Sequence, residues 1–231
     1  MDIKAVAFDV GETLVFYNKL LNWQSLYSSA LERVMAACGI EPSAETDEFA
    51  QKILTKYNTR VNPREHEISS DTIFSEILSG WKIGLHNLGA AKRAFYGYFQ
   101  SDAGCYDDVE DTLLTLKNRG IKTGVLTDVP YGMDNEYALA DLASIEEYID
   151  VCFTSNDIGC RKPNVAGFLA LKKSLGVKNG QIVYVGNEQK DIIGANAAGF
   201  ISVLIERDGE GNNWGQRFTV RCLSEMLGIF Q

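Results

Sequence analysis

Short apolar runs that alternate with helical patterns are the feature that most restricts the fold of this chain. Between them, apolar residues recur at helical spacing over Asp108–Asn118 and Asn164–Leu175. Runs that are apolar on both faces are typical of strands in a parallel sheet, joined by right-handed helical connections. The predicted strands are Ile3–Phe8, Lys122–Thr127, Ile182–Gly186 and Ile201–Ile205, with the weaker run Val151–Thr154 as a fifth.

One long segment, from Tyr17 to Gln100, breaks this alternation because it has no convincing strand pattern. Its apolar residues instead recur at helical spacing, which indicates several amphipathic helices. The sequence therefore predicts an α/β fold with two domains. A Rossmann-like core is expected from residues 1–16 and 101–231, and an all-α helical-bundle cap from residues 17–100. The predicted cap helices cover 23–35, 47–57, 71–78 and 90–99.

Composition and charge exclude several classes of protein. The chain has 231 residues and a net charge of −9, which argues against a nucleic-acid-binding surface. Its five cysteines contain no C-x-x-C pair, so reduced thiols in a cytoplasmic protein are expected. We expect no membrane partner, because no apolar stretch approaches the ~18 residues of a span. Both a monomer and a homodimer are compatible with the sequence.

Polar side chains follow the predicted strands at the points where ligands bind in open parallel sheets. Each of these residues has a structural interpretation by itself, as a turn cap, a solvated charge or a helix N-terminus. Because these residues occur together and in order at the ends of predicted strands, the sequence favours a ligand-binding site over these separate interpretations. Carboxylates, a hydroxyl and an ammonium group suit a divalent cation beside a phosphoryl group. The residues concerned are Asp9, Gly11, Glu12 and Thr13, then Thr127 and Asp128, Lys162, and finally Gly186, Asn187, Glu188 and Asp191.

Four segments in sequence resemble the motifs of the haloacid dehalogenase (HAD) superfamily. FDVGETL resembles the first motif, with an aspartate after an apolar run, and VLTD resembles the second. GCRKPNVAGF is similar to the third, in which a lysine precedes proline, and VGNEQKDIIGANAAG is similar to the fourth. The helical segment between the first two motifs resembles the family's type-1 cap. The resemblance covers nearly the whole chain.

This resemblance implies a role for each matching residue. Asp9 would be the nucleophile and a Mg²⁺ ligand, and Gly11 would offer its backbone carbonyl to the metal. Thr127 would hold the phosphoryl oxygens, and Lys162 would neutralise charge between nucleophile and phosphate. The metal shell would be completed by Asp191 with Asn187 or Glu188, and substrate would be bound by Thr127, Asp128, Arg161 and Lys162. The implied activity is a Mg²⁺-dependent phosphatase acting on a small phosphorylated metabolite through a phosphoaspartate.

Three residues depart from the family pattern. Gly11 stands where the family's phosphatases have a second aspartate, the usual general acid and base. Asn187 replaces the first aspartate of the fourth motif, and its amide oxygen can bind Mg²⁺ only without charge. Asp128 adds negative charge where a neutral residue is commoner. We therefore expect phosphatase activity here to be impaired or unorthodox, with Tyr17 or Asn18 as a replacement donor.

These departures leave three other functions open. A dehalogenase also lacks the second aspartate but needs no metal, which the acidic fourth motif argues against. A phosphonate hydrolase needs a cap lysine as an amine nucleophile, and Lys19, Lys52 and Lys56 are candidates. A catalytically silent relative would only bind a phosphorylated ligand or a protein.

Overall fold

A single parallel sheet organises the computed structural model, which describes residues 1–19, 22–101, 103–209 and 211–230. The strands are β1 (Ala5–Phe8), β2 (Val15–Tyr17), β3 (Ala103–Cys105), β4 (Lys122–Thr127), β5 (Val151–Thr154), β6 (Ile182–Gly186), β7 (Ile201–Ile205) and β8 (Phe218–Val220). Six of them form the sheet in the order β5-β4-β1-β6-β7-β8, with every pair parallel. The strands β2 and β3 pair antiparallel in a separate two-stranded ribbon.

Helices lie between the strands and make up the inserted segment. The α-helices are α1 (Tyr27–Ala37), α2 (Ala44–Tyr57), α3 (Ser70–Gly80), α4 (Leu88–Gln100), α5 (Val109–Asn118), α6 (Asn135–Ala138), α7 (Ser155–Ile158), α8 (Val165–Leu175), α9 (Gln189–Ala197) and α10 (Leu223–Met226). Short 3₁₀ helices cover Trp23–Leu26, Leu85–Asn87, Pro130–Gly132, Ala140–Leu142, Glu146–Tyr148 and Leu227–Phe230.

The two faces of the sheet are covered by different helices. Successive side chains of a strand point to opposite faces, so Val6 and Phe8 pack with α5 and α10, whereas Ala5 and Ala7 pack with α8 and α9. All four of these β1 residues are buried. The predicted α/β fold with a parallel sheet is therefore confirmed. No described helix combines the length and the apolar character needed to cross a membrane.

The predicted strands agree closely with the observed ones. Four of the five have the predicted bounds, and the first begins at Ala5 rather than at Ile3. The sequence analysis missed the short strands β2, β3 and β8, each of three residues. Such strands carry too few residues for an apolar pattern to be recognised.

The segment 22–100, here called the helical insert, lies along the chain between the paired strands β2 and β3 and carries the helices α1–α4. Their buried apolar residues form a cluster of their own, which includes Leu31, Leu54 and Phe74. Three residues from the loop after β4 (Val129, Tyr131 and Met133) also belong to this cluster. The ribbon of β2 and β3 is thus where the chain leaves and re-enters the sheet region. That residues 17–100 form a separate cap domain stays a prediction.

Candidate active site

A buried lysine lies between two aspartates at the carboxyl ends of the central strands. Lys162 Nζ is 2.7 Å from Asp9 Oδ1, directly after β1, and 2.6 Å from Asp191 Oδ1 in the first turn of α9. The Lys162 side chain is only 1% exposed. The strands β1 and β6 are hydrogen-bonded neighbours, which brings the residues that follow them together. The first, third and fourth sequence motifs therefore converge on one ammonium group.

Two further oxygens complete the surroundings of Lys162. Its Nζ donates to the hydroxyl of Tyr184 on β6 at 3.1 Å and lies 3.3 Å from the carbonyl oxygen of Leu126. Burial alone would lower the pKa of Lys162, but Asp191 and Asp9 together raise that pKa well above its ordinary value. The lysine is therefore a permanent cation, and a fixed positive charge beside the Asp9 carboxylate is suited to an anionic substrate.

Asp191 is fully buried, and its two carboxylate oxygens have different partners. Its Oδ2 accepts a hydrogen bond from the backbone N–H of Glu188 at 3.0 Å. Its Oδ1 forms the ion pair with Lys162, and no residue in the described part of the chain donates a well-aligned hydrogen bond to it. Burial raises the pKa of Asp191 to about 6, against the opposing effect of Lys162. The close approach requires glycine at 186, because a Cβ there would lie 2.5 Å from Asp191 atoms.

Residues with oxygen atoms that could bind a metal ion line the cavity beside Asp9. Gly11 and Thr127 line the same cavity as Asp9, as does Asn187, whose Oδ1 accepts a long 3.5 Å hydrogen bond from Thr13. Carboxylate, amide and carbonyl oxygens are the ligands that Mg²⁺ takes. Asp191 lies behind this space, because it is fully buried and its Oδ1 is paired with Lys162 at 2.6 Å. Within the described ranges, no cluster of three or more Asp, Glu, His or Cys side chains could hold a metal, so neutral oxygens would have to contribute.

Glu188 lies at the cavity but is engaged by two cations. Its Oε1 is 2.8 Å from Arg60 of the segment after α2, and its Oε2 is 2.7 Å from Lys190. Although burial opposes it, Lys190 and Arg60 lower the pKa of Glu188 to about 2. Because both oxygens are already paired, the geometry favours Asn187 over Glu188 as the second donor of the fourth motif.

Asp128 and Arg161 line the cavity, and both also hold the chain in place. Asp128 Oδ1 accepts from the backbone N–H of Lys162 at 3.0 Å, and its Oδ2 is 3.1 Å from Lys190 Nζ. Arg161 donates to the Val129 carbonyl at 2.8 Å and forms an ion pair with Glu67 of the helical insert. These contacts position the loop that carries Lys162. Contact of Asp128 and Arg161 with substrate stays a prediction.

The cavity of about 800 Å³ lies between the helical insert and the ends of the strands. Gly11 faces Tyr17, whose hydroxyl donates to Asp141 Oδ2 at 2.8 Å. Glu12 does not line the cavity, and its carboxylate accepts from the Tyr106 hydroxyl at 2.6 Å.

The three lysines that could serve a phosphonate hydrolase, Lys19, Lys52 and Lys56, lie in different places. Of these three residues only Lys19 lines the cavity.

Comparison with known proteins identifies the family. A family model described as haloacid dehalogenase-like hydrolase matches residues 3–199. The chain belongs to this family. It is similar to a glyceraldehyde 3-phosphate phosphatase of Methanopyrus kandleri, with 29% identity over 89% of this chain and 84% of the relative. It is therefore a hydrolase.

Two solved structures of the HAD fold have similar architecture. A 2-haloacid dehalogenase from Pseudomonas syringae superposes with a TM-score of 0.71 at 21% identity, covering 99% of this chain and 98% of that one. A HAD phosphatase from Thermococcus onnurineus superposes with a TM-score of 0.66 at 23% identity over the same shares. At these identities the likeness shows the fold alone.

Three residues that contribute to this HAD site escaped the sequence analysis. Tyr184 was hidden in an apolar run, although a tyrosine in a fully buried strand needs a hydrogen-bond partner and could have drawn attention. Lys190 lies between Glu188 and Asp191 of the fourth motif, and its charge could have been considered there. Glu67 offered no signal, because its partner Arg161 is distant in sequence.

Proposed function

We propose that this HAD-like hydrolase is a Mg²⁺-dependent phosphatase that acts on a small phosphorylated metabolite. The observation that carries the proposal is the buried Lys162, which pairs with Asp9 and Asp191 and lines a cavity together with Asp9. A fixed cation beside a carboxylate is suited to an anionic phosphoryl group. The name of the Methanopyrus kandleri relative, glyceraldehyde 3-phosphate phosphatase, supports the same reaction class.

In the proposed reaction, the Asp9 carboxylate attacks phosphorus in line and forms an acyl phosphate. The bond from phosphorus to the leaving oxygen breaks, and that oxygen departs with the electron pair. Water then attacks phosphorus, which releases inorganic phosphate and restores Asp9. Lys162 orients Asp9 and offsets the charge of the phosphoryl oxygens, and Thr127 donates its hydroxyl to one of them. Forming a covalent intermediate divides one difficult step into two easier ones.

Asp9, the carbonyl of Gly11, Asn187 and Asp191 are the residues that would hold Mg²⁺. When bound, Mg²⁺ neutralises phosphoryl charge and helps to align the group for attack. Two carboxylates and two neutral oxygens give this site fewer charges than the family pattern. We therefore expect weak binding of the ion.

Two alternatives stay open. A silent relative, which Gly11 favours, would bind phosphate analogues without releasing phosphate. A dehalogenase would need no Mg²⁺, and the charged surroundings of Asp9 argue against it because they resemble a phosphoryl site more than an apolar one. Both alternatives give distinct results in the same experiment.

The test is a phosphate-release screen over many phosphorylated metabolites with Mg²⁺, repeated with EDTA. We expect release that EDTA abolishes, and a phosphorylated Asp9 after rapid acid quench and mass spectrometry. Asp9→Asn should lower turnover by about 10³-fold or more. Its melting temperature should change little, since Lys162 keeps its ion pair with Asp191. Retained turnover in a folded Asp9→Asn protein would exclude the assignment.

A further inference from the structure

We propose that the organic part of the substrate is an uncharged aromatic group, so that the reaction is hydrolysis of an aryl phosphate monoester. This inference rests on the proposed phosphatase function and names its substrate class. Three properties of the cavity lead to this inference. The cavity has an aromatic surface, its cations are paired with carboxylates, and position 11 carries no carboxylate that could act as a general acid.

Four side chains, here called the aromatic wall, form one apolar side of the cavity: Trp23, Phe99, Tyr131 and Met133. The rings of Trp23 and Phe99 are stacked with centroids 3.7 Å apart, and Trp23 and Tyr131 lie 5.5 Å apart and nearly parallel. The Tyr131 hydroxyl also contacts the Tyr27 hydroxyl. The wall is therefore preformed. Trp23 is half-buried, whereas the other three residues are 2–6% exposed, so Trp23 offers most of the contact area that the wall presents to an aromatic ligand.

The wall belongs to the same cavity as the reacting group. The loop after β4 runs from Thr127 to Tyr131 in four residues, which a chain can extend to about 14 Å at most. The helical insert contributes Trp23 and Phe99 to the lining of the same cavity. A phosphoryl group at Asp9 and Thr127 would thus have its organic substituent directed along a space bordered by the wall.

The charges of the cavity argue against a second anionic group on the substrate. Four cationic side chains line it besides Lys162 and Lys19, and each already has a carboxylate within ion-pair distance. These are Arg60 with Glu188, Arg64 with Glu67, Arg161 with Glu67, and Lys190 with Asp128 and Glu188. The carboxylates in these pairs would repel a carboxylate or a second phosphate. An uncharged organic group fits better.

The absence of a carboxylate at position 11 favours the same substrates. A leaving oxygen that receives no proton must depart as an anion, and phenolates are far more stable anions than alkoxides. Glu12 is directed to Tyr106, and the Tyr17 hydroxyl is committed to Asp141. In the reaction, the phosphorus–oxygen bond breaks and the phenolate keeps the electron pair, then takes a proton from water.

The test compares 4-nitrophenyl phosphate with acetyl phosphate. Both release weakly basic anions, but acetate is too small to contact the aromatic wall. In the wild type we expect kcat/KM to be at least about tenfold higher for the aryl substrate. Trp23→Leu should remove most of this preference, because it should raise KM for the aryl substrate by a larger factor than KM for acetyl phosphate. Phe49→Ala, which removes an exposed aromatic of α2 outside the cavity, is the matched control and should retain the preference.

Other outcomes would overturn the inference. An equal loss for both substrates in folded Trp23→Leu protein, or no preference in the wild type, would exclude a role for the wall. If Trp23→Leu does not fold, Met133→Ala tests the wall from the side of the loop after β4.

Failure of the phosphatase proposal gives a different pattern. Neither substrate would then release phosphate. The aromatic site would instead be tested by comparing the affinities of phenylphosphonate and methylphosphonate by calorimetry. Tighter binding of phenylphosphonate by about tenfold or more would support the aromatic site in a silent relative. Equal binding would exclude it.

Discussion

Gly11 is the residue at which this site departs most from the family pattern. Its backbone is not in the left-handed region, and an added Cβ would meet only Tyr17 Cε2 at 3.6 Å, an ordinary van der Waals contact. A side chain is therefore sterically acceptable at this position. Because no steric constraint requires glycine at position 11, substitutions there can test how the missing side chain affects the reaction.

Gly11→Asp should restore general acid help to poor leaving groups. We expect its rate on alkyl phosphates to rise by about 10²- to 10⁴-fold, with little change on aryl phosphates that leave without a proton. A series of phosphate monoesters of graded leaving-group pKa measures this as a flatter slope than in the wild type. Gly11→Asn is the control of equal size, and it should keep the steep slope. A flat wild-type slope would show that a general acid exists elsewhere.

A second residue-scale prediction concerns Asn187. Among the described residues, only Thr13 donates to its amide oxygen, through a long hydrogen bond, so this oxygen is available to an ion. Asn187→Asp adds a charged oxygen that offsets the desolvation of Mg²⁺, and we expect about tenfold tighter binding in a calorimetric titration. Glu188→Gln is the comparison, because Glu188 is engaged by Arg60 and Lys190 and should not affect Mg²⁺ affinity strongly. Unchanged or weaker affinity in Asn187→Asp would place Asn187 outside the metal site.

At the scale of elements, a short segment after α2 joins the helical insert to the loop before Lys162. Glu67 N–H donates to the Gly159 carbonyl at 2.9 Å, and Arg161 N–H donates to the Glu65 carbonyl at 2.7 Å. The Glu67 carboxylate, 3% exposed, also accepts from Ser155 and pairs with Arg64 and Arg161. Because Arg161 precedes Lys162, this segment holds the loop that carries Lys162 from the side of the insert.

Glu67→Gln should destabilise the protein strongly. The substitution removes the carboxylate charge that the largely buried guanidinium groups of Arg64 and Arg161 share, which costs about 3 kcal/mol of unfolding free energy. Urea denaturation measures the loss. Glu76→Gln breaks the exposed ion pair of Glu76 with Lys56 and should cost less than about 1 kcal/mol. Equal effects of the two substitutions would contradict the buried role of Glu67.

At the scale of the whole molecule, charges on the helical insert face charges on the sheet side across the cavity. Arg60 of the insert side pairs with Glu188, whose pKa is lowered to about 2. A carboxyl whose folded-state pKa is lower than its unfolded value stabilises the fold at pH values above the unfolded pKa. That stabilisation is lost as the pH falls toward the folded pKa.

Acidification should therefore reduce the contribution of Glu188 between about pH 4.5 and pH 2. At pH 7 we expect Glu188→Gln to be less stable than the wild type by about 1–2 kcal/mol, after allowance for solvent screening. The difference should shrink steadily in urea titrations from pH 5 to pH 3. A difference that is constant over this range would mean that Glu188 is not stabilised as a carboxylate in the folded protein.

The strands and the order of the motifs followed from local sequence, because an apolar run buried on both faces has few structural alternatives. The run Ile182–Gly186 was predicted correctly as a strand, whereas the roles of the residues after it stay predictions. The carboxyl ends of parallel strands lie at one edge of a sheet, so the sequence alone predicted that Asp9 and Asp191 would lie close together. The family resemblance came from the same motifs.

Only the tertiary structure decided how these residues are paired. The contacts of Lys162 with Asp9 and Asp191, of Glu188 with Arg60, and of Glu67 with Arg161 join residues that are far apart in sequence. The aromatic wall likewise combines Trp23 with Tyr131, from different parts of the chain. Such contacts depend on how helices and loops pack against one another, and no local pattern of residues encodes that packing.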